Sequence, residues 1–155
     1  MVKWFKLTKH HYFGFFPLGI LFVALQELPY FLLPLFHISL TPLTTLPTTF
    51  FWLDFLEKCF GIGTILSLIF ILRLPLYPQN LFLRAAVVPL ANYYIGWGIY
   101  SLGFWNLPFF LFFLVAMPPL YYFFLGLWQK NRLTILLSLL FLIAHLANSS
   151  LNFIK

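Results

Sequence analysis

From Tyr12 to Phe36 the chain runs through 25 residues with one formally charged side chain, Glu27. Four more apolar stretches follow, each near the roughly 20 residues that a helix needs to cross the hydrocarbon of a bilayer. A chain built this way has little choice of solvent. With 63% hydrophobic residues, 8% charged residues and a mean hydropathy of +0.97, it lies far outside the range of a soluble domain of 155 residues. The sequence therefore predicts an all-α, polytopic integral membrane protein: a single bundle over residues 1–155 of five transmembrane helices with proline kinks. The segments fall at about 12–36, 50–72, 84–102, 109–127 and 133–152, which leaves no length for a soluble catalytic lobe.

The net charge of +6 would suggest nucleic acid in a soluble protein. Here most basic residues stand at the segment ends, where they act as topology signals, and nucleic acid is excluded as a partner. Lys3, Lys6 and Lys9, interleaved with Trp4 and Phe5, read as a basic aromatic foot at the cytoplasmic interface. Arg73 and Arg84 flank the next cytoplasmic loop, and Lys130 and Arg132 the last. The loops at 37–49 and 103–108 carry no Lys or Arg. The alternation places the N-terminus in the cytoplasm and the C-terminus outside, in a plasma (inner) membrane or an organelle membrane. A basic start before an apolar run also fits a signal peptide, but no small-x-small cleavage site follows, so the first segment is kept as a helix. Cys59 is the only cysteine, which excludes an internal disulfide or a CxxC site.

Prolines punctuate the segments. Pro29 lacks an N–H and frees the carbonyl of Leu25 beside Glu27, making a polar notch in the first helix. Pro118-Pro119 removes two consecutive donors and predicts a kink or a non-helical turn in the fourth. Gly63-x-x-x-Ser67 has the small-xxx-small spacing that lets helices approach closely.

Counting about 1.5 Å of rise per residue from the cytoplasmic end of each segment places Glu27, Glu57, Asp54, Tyr100, His145 and Asn148 at roughly one level, in the outer half of the membrane. The inner half is expected to offer mainly Asn92 and several tyrosines. His145, Asn148, Ser149 and Asn152 share one helix face, as do Glu27, Tyr30 and Pro34. If both faces turn inward they enclose a polar pocket with Glu27 and His145 as its titratable members. The candidate ligand- or proton-binding residues are thus Glu27, His145, Asn148, Glu57, Asp54 and Tyr30. Each also has an ordinary structural reading: an interhelical hydrogen bond for Glu27 or His145, and a solvated helix start for Asp54 and Glu57, with Asp54 and Lys58 paired at i,i+4. No HExxH, P-loop, GxGxxG or Gly-x-Ser-x-Gly motif is present, no metal site is predicted and no cofactor is identified. Asn148-Ser149-Ser150 fits a glycosylation sequon but lies in or against the bilayer.

Five helices in about this length, rich in aromatic residues, is similar to the plan of the tryptophan-rich sensory proteins. Their proline-tryptophan signature after the first helix does not occur in this chain, although Trp52-Leu53-Asp54-Phe55-Leu56-Glu57-Lys58 gives a faint echo, and no residue role carries over. The reading that the residues favour is a non-enzymatic binding or complex-forming subunit whose partners are membrane lipids and a small ligand, a membrane-protein partner or a second copy in a homo-oligomer. A proton- or cation-coupled transporter or channel subunit using Glu27 is the alternative. A membrane enzyme acting on a lipid or isoprenoid, with these carboxylates and His145 as acid and base, is the third.

Overall fold

A computed structural model describes residues 2–39, 50–74, 81–104 and 106–153. Five helices dominate it: α1 (Pro17–Leu35), α2 (Phe51–Phe70), α3 (Leu81–Ser101), α4 (Leu107–Gln129) and α5 (Arg132–Phe153). Of these, α1, α4 and α5 are long and apolar enough to cross a membrane. α2 and α3 are equally long, but α2 carries Asp54, Glu57 and Lys58, and α3 is interrupted by Arg84, Asn92, Tyr93 and Tyr94.

The chain is not all-α. Val2–Lys6 (β1) and His11–Phe15 (β2) form an antiparallel hairpin, and Ile71–Arg73 (β3) adds to β2 with His11 opposite Arg73 and Phe13 opposite Ile71. The reason is local. Residues 2–6 and 11–15 are dense in Val, Trp, Phe and Tyr, which suit a pleated surface, and the register shift around Trp4 is a bulge in β1. Phe13 packs between Phe5 at 5.0 Å, Trp4 at 5.3 Å and Phe70 at 6.0 Å, so the sheet rests on the end of α2. A methyl at Gly14 would collide with the carbonyl of Val2, so glycine lets the strands close. The expected first segment, 12–36, is therefore strand up to Phe15 and helix only from Pro17, where proline suits the first helical turn.

The bundle pairs α2 with α5 and α3 with α4, and α4 packs on α5, while α1 lies lightly against α2 and α3. Along α5 one stripe faces inward at spacings of four and three: Thr134, Ser138, Phe141, His145, Asn148 and Asn152. α2 answers with Glu57, Gly61, Thr64 and Leu68. Near the sheet the contact is a neutral polar knot. The Ser67 and Thr134 hydroxyls are 2.8 Å apart, Asn131 donates to the Ser67 carbonyl at 3.1 Å and Gln129 to that of Leu68 at 3.4 Å. These polar groups at the sheet end were not expected from the sequence; Asn92, which was, donates to the Val88 carbonyl of its own helix.

Pro118-Pro119 does not break α4. Residues Phe110–Ala116 wind instead as a π-helix, and α-helical geometry resumes at Met117. The carbonyl of Leu114 meets prolines at both i+4 and i+5, so neither an α- nor a π-type donor serves it. On α3, Gly96 brings α4 close: a methyl there would stand 2.6 Å from Phe113 Cβ. The carbonyl of Leu25 freed by Pro29 accepts from the Tyr94 hydroxyl at 2.5 Å, and Tyr121 donates to the Phe22 carbonyl at 3.2 Å. α1 is tied down by tyrosine hydroxyls more than by packing. The Thr/Pro-rich loop expected outside falls, at 40–49, beyond the described residues, as does 75–80 of the Pro-rich cytoplasmic loop.

Candidate functional site

At the end of the bundle away from the sheet, the α2–α5 contact changes character. His145 Nδ1 lies 2.9 Å from Glu57 Oε1, Asn148 Nδ2 donates to Glu57 Oε2 at 2.6 Å, and Asn152 Nδ2 donates to Asn148 Oδ1 at 3.1 Å. Both carboxylate oxygens are engaged, so Glu57 is the hub of a chain that runs up one face of α5. Phe141 stacks on the His145 ring at 5.0 Å and helps fix its plane. Packing holds this geometry, because four and three residues along α5 return His145 and Asn148 to the same side, facing one turn of α2.

The cluster borders a cavity of about 180 Å³. Its polar wall is Glu57, His145, Asn148 and Asn152; its aromatic wall is Tyr30 of α1, Trp97 of α3 and Phe110 of α4. Tyr30 meets Trp97 edge-on at 5.2 Å, and Trp97 is only 3% exposed. The Trp97 Nε1–H and the Tyr93 hydroxyl are buried without a well-formed hydrogen bond among the described residues, and they lie near each other and near the Tyr30 hydroxyl.

A second cavity of the same size, about 180 Å³, lies next to the first and shares Tyr30, Leu114 and His145 with it. Glu27 lines this second cavity and is half-buried; it hydrogen-bonds no described residue. Its neighbour Gln26 is buried and accepts from the Tyr122 hydroxyl at 2.7 Å. Leu114, which has prolines at i+4 and i+5, lines both spaces.

The six residues singled out in the sequence separate into four groups. Glu57, His145 and Asn148 meet directly, Tyr30 lines both cavities, and Glu27 shares the second cavity with His145 but does not hydrogen-bond it. Asp54 lines neither cavity and pairs with Lys58 at 2.7 Å, one turn beyond Glu57. Sequence reasoning missed Trp97 and Tyr93, although Tyr93, Trp97 and Tyr100 recur at four and three residues and so mark one buried face of α3. Among the described residues no three His, Cys, Asp or Glu side chains come together as metal ligands. No protein-family model, no curated protein and no solved structure matches this chain.

Proposed function

We propose that the chain is a five-span membrane protein acting as a non-enzymatic binding subunit, and that the cavity between Glu57 and Trp97 takes a small polar ligand with a cationic or hydrogen-bond-donating end. One observation supports the reading: a carboxylate bonded by His145 and Asn148 stands opposite the aromatic rings of Tyr30, Trp97 and Phe110 across a small cavity. Carboxylate opposed to aromatic rings is the chemistry of organic-cation recognition, since the ring face and the anion both attract positive charge. At about 180 Å³ the space is below the roughly 300–1,000 Å³ typical of drug-sized ligands, so the ligand is small.

All five helices span in this reading. α2 carries charge, but its outward face shows Phe55, Ile62 and Leu66 at 44–59% exposure alongside Leu56. α3 likewise exposes Val87, Val88 and Ile95. Contiguous apolar surface of this kind needs lipid or a partner to cover it. Orientation follows the basic residues, with the sheet in the cytoplasm. Single cysteines at Lys6 and Leu102 in a Cys59→Ala background test it: an impermeant thiol reagent on intact cells should label Leu102→Cys and spare Lys6→Cys. The reverse pattern would turn the molecule over.

The test of binding is calorimetric titration of the purified protein with methylammonium, tetramethylammonium and choline. Saturable binding of at least one, lost in Glu57→Gln and weakened in Trp97→Phe, is expected. Absence of binding by the wild-type protein to the whole series would sink the cation reading. A second reading, a proton- or cation-coupled transporter or channel subunit, is favoured by the adjoining cavity that carries Glu27: two carboxylates line two spaces joined through Tyr30, Leu114 and His145.

A further inference from the structure

The sheet end of the molecule holds a second site of opposite sign. Two adjoining cavities of about 420 and 400 Å³ share His10, His11 and Arg132, and together form a cleft between the hairpin turn and the α4–α5 turn. The cleft is built, not incidental: His11 bonds Thr8 Oγ1 through Nδ1 at 3.0 Å and reaches the Lys130 carbonyl through Nε2 at 3.2 Å. Lys130 sits in the left-handed region at φ 49°, with its N–H on the Leu127 carbonyl and that of Asn131 on Gly126. That reversal ends α4 and presents Lys130 and Arg132 on either side of buried Asn131.

Cations rim the cleft: Lys9 and Arg132 on one side, Arg73, Lys130 and Arg132 on the other. Its walls are apolar, with Leu7, Ile71 and Leu133 below one cavity and Phe82, Leu127 and Ile135 below the other. The chain has only three carboxylates, and all of them lie up the bundle: Glu27 is ten residues beyond Pro17, about 15 Å by helical rise, and Asp54 and Glu57 are farther along α2. Among the described residues no Asp or Glu lines either cavity.

We propose that the cleft binds an anionic phospholipid, with the phosphate on Arg132 and Lys9 and the glycerol and first acyl carbons against Leu7, Ile71 and Leu133. Guanidinium matches a phosphodiester through two parallel N–H bonds, and ammonium adds a point charge. A free phosphate would satisfy the rim but leave the apolar walls unused, whereas a lipid uses both. The position also fits, because a basic cleft opening between helices at the membrane surface is where headgroups are concentrated. The site is separate from the Glu57 cavity and does not depend on what occupies it.

The experiment is native mass spectrometry of the protein in detergent with phosphatidylglycerol, phosphatidylcholine or inorganic phosphate added, for wild type, Lys9→Gln/Arg132→Gln and Lys3→Gln/Lys6→Gln. The two double variants lose the same charge from exposed positions, but Lys3 and Lys6 do not line the cleft. Wild type should retain phosphatidylglycerol at least about tenfold better than phosphatidylcholine, and Lys9→Gln/Arg132→Gln should lose most of that preference, about tenfold. Lys3→Gln/Lys6→Gln should change it by less than about twofold. Equal losses in the two variants would reduce the cleft to general surface attraction, and no loss in either would remove it; inorganic phosphate that displaces the lipid at millimolar concentration would assign the rim to a free anion. Each of these three results overturns the proposal.

Discussion

Two stretches of the same helix pair, α2 and α5, solve the problem of polarity in an apolar bundle in different ways. Near the sheet, Ser67, Thr134, Asn131 and Gln129 are neutral and almost fully buried, and each bonds a neighbour or a backbone carbonyl; Gln129 Oε1 is left without a partner among the described residues, and Ser67 borders an apolar groove. Toward the other end, Glu57 and His145 are partly exposed and ionisable, Asn148 is buried beside them, and all three border a cavity. Neutral groups that satisfy one another locally hold helices in register. A carboxylate kept beside a cavity costs stability that neutral residues would not, and the proposed ligand binding would offset that cost.

The comparison can be broken by exchange of roles, beginning with the largest effect. Glu57→Leu removes the acceptor of both His145 and Asn148 and should abolish cation binding and lower stability by about 2–3 kcal/mol, because two donors are orphaned; thermal unfolding and calorimetry read both. Glu57→Gln should lose binding while keeping most of the stability, since an amide oxygen still accepts from Asn148. On the neutral side, Asn131→Ala should cost about 2 kcal/mol, from the lost bond to the Ser67 carbonyl and the lost contact with the Thr134 N–H at the start of α5, and leave binding untouched. Thr134→Val should cost about 1 kcal/mol, again with no change in binding. A variant of the neutral knot that altered binding as strongly as Glu57→Gln would erase the distinction.

The smaller effects sharpen it. Glu27→Gln should change thermal stability by less than about 0.5 kcal/mol, because Glu27 hydrogen-bonds no described residue; if it nevertheless abolishes proton- or cation-coupled flux in vesicles, the transporter reading replaces the binding one. Asp54→Asn should be nearly silent, within about 0.5 kcal/mol in unfolding, since the Lys58 pair is an exposed i,i+4 contact.

How much of this the residues announced differs by element. The four later helices begin and end within about three residues of the apolar segments, because apolar length is a strong signal. The hairpin was not legible as such: five residues of alternating aromatics at Tyr12 run straight into an apolar helix, and period alone cannot divide them. The shared level of Glu57, His145 and Asn148 followed from helical rise, but rotation about each helix axis did not, and rotation decides that His145 meets Glu57 and not Glu27. The α5 stripe was half read. Thr134 and Ser138 continue the spacing of His145 and Asn148, yet small hydroxyls among leucines and isoleucines give no hydropathy signal, so the inner knot stayed invisible.

The pairing of β2 with β3 has a consequence for the order in which the molecule is made. His11 meets Arg73 only after two helices have been synthesised between them, so β2 lacks one edge partner until Ile71–Arg73 emerges. The third strand then closes α1 and α2 into a loop pinned at its base, and the two helices can no longer drift apart. The hairpin is a latch for which the second helix carries the catch.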